Sequence, residues 1–94
     1  MSDEVAEAKF RIINQRGLHA RAATKLVQLS GKFPCDIRVG GPDGQMANAK
    51  SVMGVLLLCG SAGTMIQVSA TGPQAKAAVD AIGKLIADKF GEGE

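Results

Sequence analysis

A neutral ring nitrogen of imidazole is nucleophilic near pH 7, and this chain carries one histidine. His19 stands in Gly17-Leu18-His19-Ala20-Arg21, after a stretch with strand alternation and just before a run with helical spacing. A helix start presents unpaired backbone N–H groups and a partial positive charge, so it is a ready anion site. Arg21 adds a planar fork of donors suited to phosphate oxygens. Gly17 permits a tight turn and close backbone approach, and the small side chain of Ala20 leaves the ring accessible. Together these features point to a phosphoryl group carried on His19. Without that context a lone histidine reads as a surface or capping residue, because ionisable side chains mark function only probabilistically.

The elements that must hold this site are legible from periodicity. Residues 1–7 read as a frayed polar leader, 8–90 as one domain and 91–94 as a tail. Ala8, Phe10 and Ile12 alternate with Lys9 and Arg11, the pattern of a half-buried strand. Asn14-Gln15-Arg16-Gly17 breaks it. From Ala20 to Ser30 the apolar positions recur at helical spacing, and Gly31 is the expected stop. Cys35, Ile37 and Val39 alternate as a second strand. Gly40-Gly41-Pro42-Asp43-Gly44 is a strong turn, and residues 45–49 return as a third strand. Ser51 is placed to cap a short helix through about Leu57, since a serine oxygen accepts from N–H groups one turn ahead. A loop at 60–63 leads to a fourth strand over 64–70. Thr71-Gly72-Pro73 opens a last helix, with proline in its first turn and Gly91 as its end. Ala75, Ala78, Val79, Ile82, Leu85, Ile86 and Phe90 fill one face of that helix. The order β-α-β-β-α-β-α predicts an α+β domain, a four-stranded sheet with helices on one face and water on the other.

Composition narrows the function. The 94 residues are 46% hydrophobic but only 3% aromatic, so the core must be aliphatic. A net charge of +2, with no long basic run and no stacking platforms, argues against a nucleic-acid binder. Cys35 and Cys59 form no Cys-x-x-Cys pair, and with one histidine elsewhere they do not make a zinc site; no metal or cofactor is expected. Both thiols are expected to be free and buried, in a cytoplasmic protein. The longest apolar stretch, Val55 to Cys59, is too short to span a bilayer.

The segment Gly17-Leu18-His19-Ala20-Arg21-Ala22-Ala23-Thr24 resembles the active-site signature of the HPr family, the histidine-containing phosphocarriers of the bacterial phosphotransferase system. Asn48-Ala49-Lys50-Ser51-Val52-Met53-Gly54-Val55 is similar to the family's second signature, around its regulatory serine. The two motifs lie at matching spacing, and the likeness runs from about Ala8 to Phe90. It implies the open-faced β-sandwich of that family. It implies a phosphoryl group accepted on Nδ1 of His19 from enzyme I, charged by phosphoenolpyruvate, and passed to an EIIA protein or domain, with Arg21 as stabiliser and the backbone N–H groups near Ala20 and Arg21 assisting. It also implies phosphorylation of Ser51 by an HPr kinase/phosphorylase. Such a chain is a group-transfer protein and not a self-sufficient enzyme. One departure stands out: many relatives place proline after the arginine, where this chain has Ala22. Alanine is an excellent helix residue and removes no donor, so the site should survive.

The short helix adds an apolar feature. Val52, Met53, Leu56 and Leu57 cannot all face the core, so about two of them should remain exposed. Beside His19, Thr24 and Lys25 they would form a compact docking patch for transient partners of a monomeric carrier, and methionine suits a surface that meets more than one partner. A free-standing hydrolase using His19 would need an acid/base partner or metal, and none is sequence-local. His19 itself argues against a regulatory relative that keeps the serine but not the carrier histidine. The carbohydrate and nitrogen-related branches share the active-site motif. Lys50 to Val55 is similar to the first, while Ala70-Thr71-Gly72-Pro73-Gln74 and Phe90-Gly91 look more like the second.

Overall fold

Alternation between exposed and covered residues begins earlier than expected. Val5, Glu7, Lys9 and Arg11 are exposed, whereas Ala6, Ala8 and Phe10 are half-buried against the core. In the computed structural model, which describes residues 4–42, 44–58 and 60–91, this segment is β1 (Val5–Arg11). There follow α1 (Ala20–Ser30), β2 (Asp36–Gly40), β3 (Met46–Asn48), α2 (Val52–Leu56), β4 (Met65–Thr71) and α3 (Ala75–Ala87), and then a 3-10 turn, Lys89–Gly91.

The strands form one antiparallel sheet in the order β1-β4-β2-β3. Its register sets Ile37 beside Ala70 and Val39 beside Val68, and these side chains point to the buried face. Glu7, Ser69, Arg38 and Asn48 form a row on the opposite, open face. Period-2 alternation thus decides which face meets the helices. Against the buried face α3 lays Ala75, Ala78, Val79, Ile82 and Ile86, and α1 adds Ala22, Ala23 and Leu26. Gly83 lets α3 approach β1: a Cβ there would stand 2.5 Å from Phe10 Cε1. The core is aliphatic apart from Phe90, its largest fully buried side chain.

Several expectations need correction. Val5 to Glu7 belong to β1, paired with Thr71, Ala70 and Ser69, and are not part of a leader. Charged residues at every second position do not oppose a strand whose outer face is solvated. Glu4 adds a role that no local pattern announces. Its carboxylate accepts the Lys76 N–H at 2.8 Å, and its carbonyl accepts from Gly72 N at 2.8 Å. The opposite end of the chain therefore caps α3, whose own cap residue Gln74 makes no side-chain cap bond. Pro73 lies outside the helix rather than in its first turn, because Gln74 takes a left-handed φ of 66°. At the other end α3 stops at Ala87, before Gly91. Phe90 is buried not by helical spacing but by a left-handed reversal, with φ of 55° at Lys89 and 54° at Phe90. Gly31 does close α1, yet in the right-handed region (φ −65°). Cys35 is free and buried as expected, while Asp43, Cys59 and residues 92–94 of the expected tail lie outside the described residues.

Candidate functional site

The chain reaches α1 through a loop knitted to a second loop. Ile12 N donates to Thr64 O at 2.9 Å, and Gly63 N donates back to Ile12 O at 2.7 Å. Further on, Leu18 N donates to Gly60 O at 2.7 Å. Gly17 makes that contact possible. Its φ is +67°, and a Cβ there would sit 2.4 Å from Gly60 O. Any side chain at this position would therefore meet both a backbone clash and a left-handed conformation. The 60–63 loop had no assigned role in the sequence. Its contribution is a backbone carbonyl, which leaves no signature in residue type.

His19 is the N-cap of α1, with φ −80° and ψ −179°. Its carbonyl accepts the first helical bond, from Ala23 N at 2.9 Å. Its Nδ1 accepts from Arg21 N at 3.3 Å. The imidazole occupies the place usually taken by the oxygen of Ser, Thr, Asn or Asp. A neutral ring that accepts at Nδ1 carries its proton on Nε2, so the Nδ1 lone pair points at the helix start. The first turn of α1 has no acidic residue to compete for that positive end. Ala20 and Arg21 are exposed, Ala22 and Ala23 are buried, and the ring itself is half-buried. The residues read as the reactive group and its helpers are thus brought together in one helix turn.

The remaining residues of the expected docking patch divide. Thr24 is exposed, but its hydroxyl donates to Ala20 O at 2.8 Å within its own helix. Lys25 is half-buried and its Nζ donates to Phe90 O at 2.6 Å, so it fastens α1 to the C-terminal turn. Met53 and Leu57 stand 67% and 69% exposed, whereas Val52 and Leu56 are half-buried and Val55 is fully buried. Two exposed apolar side chains, Met53 in α2 and Leu57 at its C-cap, is the number expected from one buried face. α2 packs against α1, the helix that His19 caps.

Ser51 is the N-cap of α2, and its Oγ accepts from Gly54 N at 3.2 Å. Before it, Asn48 Oδ1 accepts from Lys50 N at 2.9 Å, and Lys50 Nζ donates to Phe33 O and Cys35 O at 2.8 and 2.9 Å. The segment that presents Ser51 is therefore braced on both sides. A mostly apolar cleft of about 330 Å³ opens between β3 and α2, with Met46, Ala47, Ser51, Gly54, Leu57 and Leu58 among its lining. Among the described residues no cluster of His, Cys, Asp and Glu could hold a metal ion. No described helix is long and apolar enough to cross a membrane.

The family model for the PTS HPr component phosphorylation site covers residues 6–88. The chain belongs to the HPr family. It is 45% identical to the phosphocarrier protein HPr of Cupriavidus necator over 83 residues, which are 88% of this chain and 92% of the relative. It is 46% identical to part of the multiphosphoryl transfer protein of Vibrio cholerae, over 92% of this chain and 22% of that longer protein. Among solved structures, HPr-C-His from Thermoanaerobacter tengcongensis superposes with a TM-score of 0.88 at 41% identity, covering 93% of this chain and 97% of the other. The open sheet with helices on one face is thus the HPr fold. HPr proteins are phosphocarriers of the phosphotransferase system; they work through a phosphohistidine and are not enzymes.

Proposed function

We propose that this HPr protein carries its phosphoryl group on Nδ1 of His19, receiving it from phosphorylated enzyme I and handing it to an EIIA protein or domain. The observation that carries the reading is the bond from Arg21 N–H to His19 Nδ1 at the start of α1. It selects the tautomer whose Nδ1 has a lone pair and no proton. Attack can then form the new N–P bond as the donor's P–N bond breaks, with no proton to remove. The incoming phosphoryl group takes the place at which the amide N–H points, and the helix start and the Arg21 guanidinium face its oxygens. These exposed helix-end interactions are worth about 0.3–1 kcal/mol each. That is enough to orient the group and too little to trap it, as a carrier requires. The partner supplies the remaining positioning and charge stabilisation.

Docking in this reading falls to Met53 and Leu57, with Val52, Leu56 and Thr24 at the margin and Lys25 contributing charge from its bond to Phe90. A small apolar patch suits partners that must leave quickly. The HPr-like stretch within the longer multiphosphoryl transfer protein supports a unit built to meet other phosphoryl-transfer modules. The carrier acts as a cytoplasmic monomer. Ser51 is its regulatory site: a phosphoryl group there adds about −1.5 to −2 charges at the start of α2, where the fold tolerates them and an acidic partner does not.

Incubation with phosphoenolpyruvate and a bacterial enzyme I, followed by intact mass, tests the carrier role. One acid-labile phosphoryl group should appear, and none on His19→Ala. Labelling that persists in His19→Ala would reject the assignment.

A further inference from the structure

Only Asn14 and Ser30 are fully buried polar side chains among the described residues. Asn14 lies five residues before His19, in a stretch that the sequence marks merely as a break between strand and helix. Its Nδ2 donates to Gly17 O at 2.9 Å, and its own carbonyl accepts from Gly17 N at 3.2 Å. Asn14 therefore brackets Gly17 from both ends. The peptide unit joining Gly17 to Leu18 is held at both of its polar groups. Its carbonyl takes the Asn14 amide, and its N–H meets Gly60 O at 2.7 Å. The next residue is His19, whose backbone must leave this unit extended to cap α1.

Burying an amide in an aliphatic interior is unfavourable unless its hydrogen bonds are made, and an apolar residue would avoid that cost. A fixed peptide plane one residue ahead of the reacting side chain gives the amide a use. We infer that Asn14 is a positioning residue for phosphoryl transfer: by holding the Gly17–Leu18 peptide plane it sets the direction of the His19 ring, so that Nδ1 meets the Arg21 N–H. Asn14 touches no phosphoryl oxygen in this scheme and acts through Gly17. The inference rests on the carrier role of His19.

The test uses the full chain with two variants, Asn14→Ala and Asn14→Leu; the second fills the space without a donor and keeps the fold if the first does not. Phosphorylation by enzyme I and phosphoenolpyruvate is followed at a temperature where all proteins are folded. The expected result is a fall of about 10–100-fold in kcat at unchanged KM, the size of a misplaced reacting group with an intact docking face. Ile82→Val, a conservative core change in α3, should keep wild-type kinetics. Nitrogen-15 spectra of His19 should show the Nε2–H tautomer in the wild type and a mixture in both variants. A kcat within twofold of wild type would overturn the inference, as would wild-type imidazole spectra or an equal loss in Ile82→Val. A wild-type protein that takes no phosphoryl group would instead reject the carrier reading, and the spectra would still decide whether Asn14 orients the ring.

Discussion

Gly17→Ala is the substitution whose outcome the geometry constrains most closely, because Gly63 provides an internal control. Both glycines have positive φ, +67° and +89°. A Cβ at Gly63 meets no heavy atom within 4 Å, whereas one at Gly17 stands 2.4 Å from Gly60 O and 2.9 Å from the Ser61 Cα. Gly63→Ala should therefore lose only the left-handed backbone term, about 1–2 kcal/mol. Gly17→Ala incurs the same term and must also push the 60–63 loop away. That movement breaks the bond from Leu18 N to Gly60 O, a further net loss of about 0.5–1.5 kcal/mol. The total of about 1.5–3.5 kcal/mol is a large part of the 5–15 kcal/mol typical of a domain. Urea denaturation of both variants measures the difference directly. In thermal melts each kcal/mol should appear as about 4–8 °C at this size. Equal stability of the two variants would refute the argument, since it would mean that the contact between the loops carries no energy. Slow phosphorylation of the folded Gly17→Ala protein should accompany its lost stability, because the loop that moves is the one that aims His19.

Other expectations follow from particular contacts. Glu4→Ala removes the long-range cap on α3 and should cost about 1 kcal/mol in urea denaturation, with faster amide exchange at Lys76. Ser51→Ala should lose about 1 kcal/mol as an N-cap and keep its phosphocarrier activity; Ser51→Asp should stay folded but bind enzyme I more weakly in calorimetry. Phe90→Ala empties the largest fully buried side-chain site and should destabilise by about 3–5 kcal/mol, even though Phe90 lies beyond the last long helix.

The extent of α1, about Ala20 to Ser30, was legible because its apolar spacing and its glycine stop agree with each other. Ser51 as a cap and two exposed apolar residues on α2 were legible for the same reason: each depends on residues within one turn. The start of β1 and both ends of α3 were not. Strand pairing with β4 recruits Val5 to Glu7, and the reversal at Lys89 and Phe90 exists because the core has a place for one aromatic ring and Lys25 holds the turn's carbonyl.

For the site, residue types alone determined that an imidazole, an arginine and a helix start coincide, and hence what chemistry is available. Tertiary structure decided how that chemistry is aimed. The clamp on the Gly17–Leu18 peptide uses a carbonyl of the 60–63 loop, more than forty residues downstream, and a buried amide that reads locally as a turn former. Side-chain identity reports reactivity because reactivity belongs to the atom. Orientation belongs to the backbone, whose hydrogen-bonding groups are the same in nearly every residue, so only the folded chain shows which of them meet.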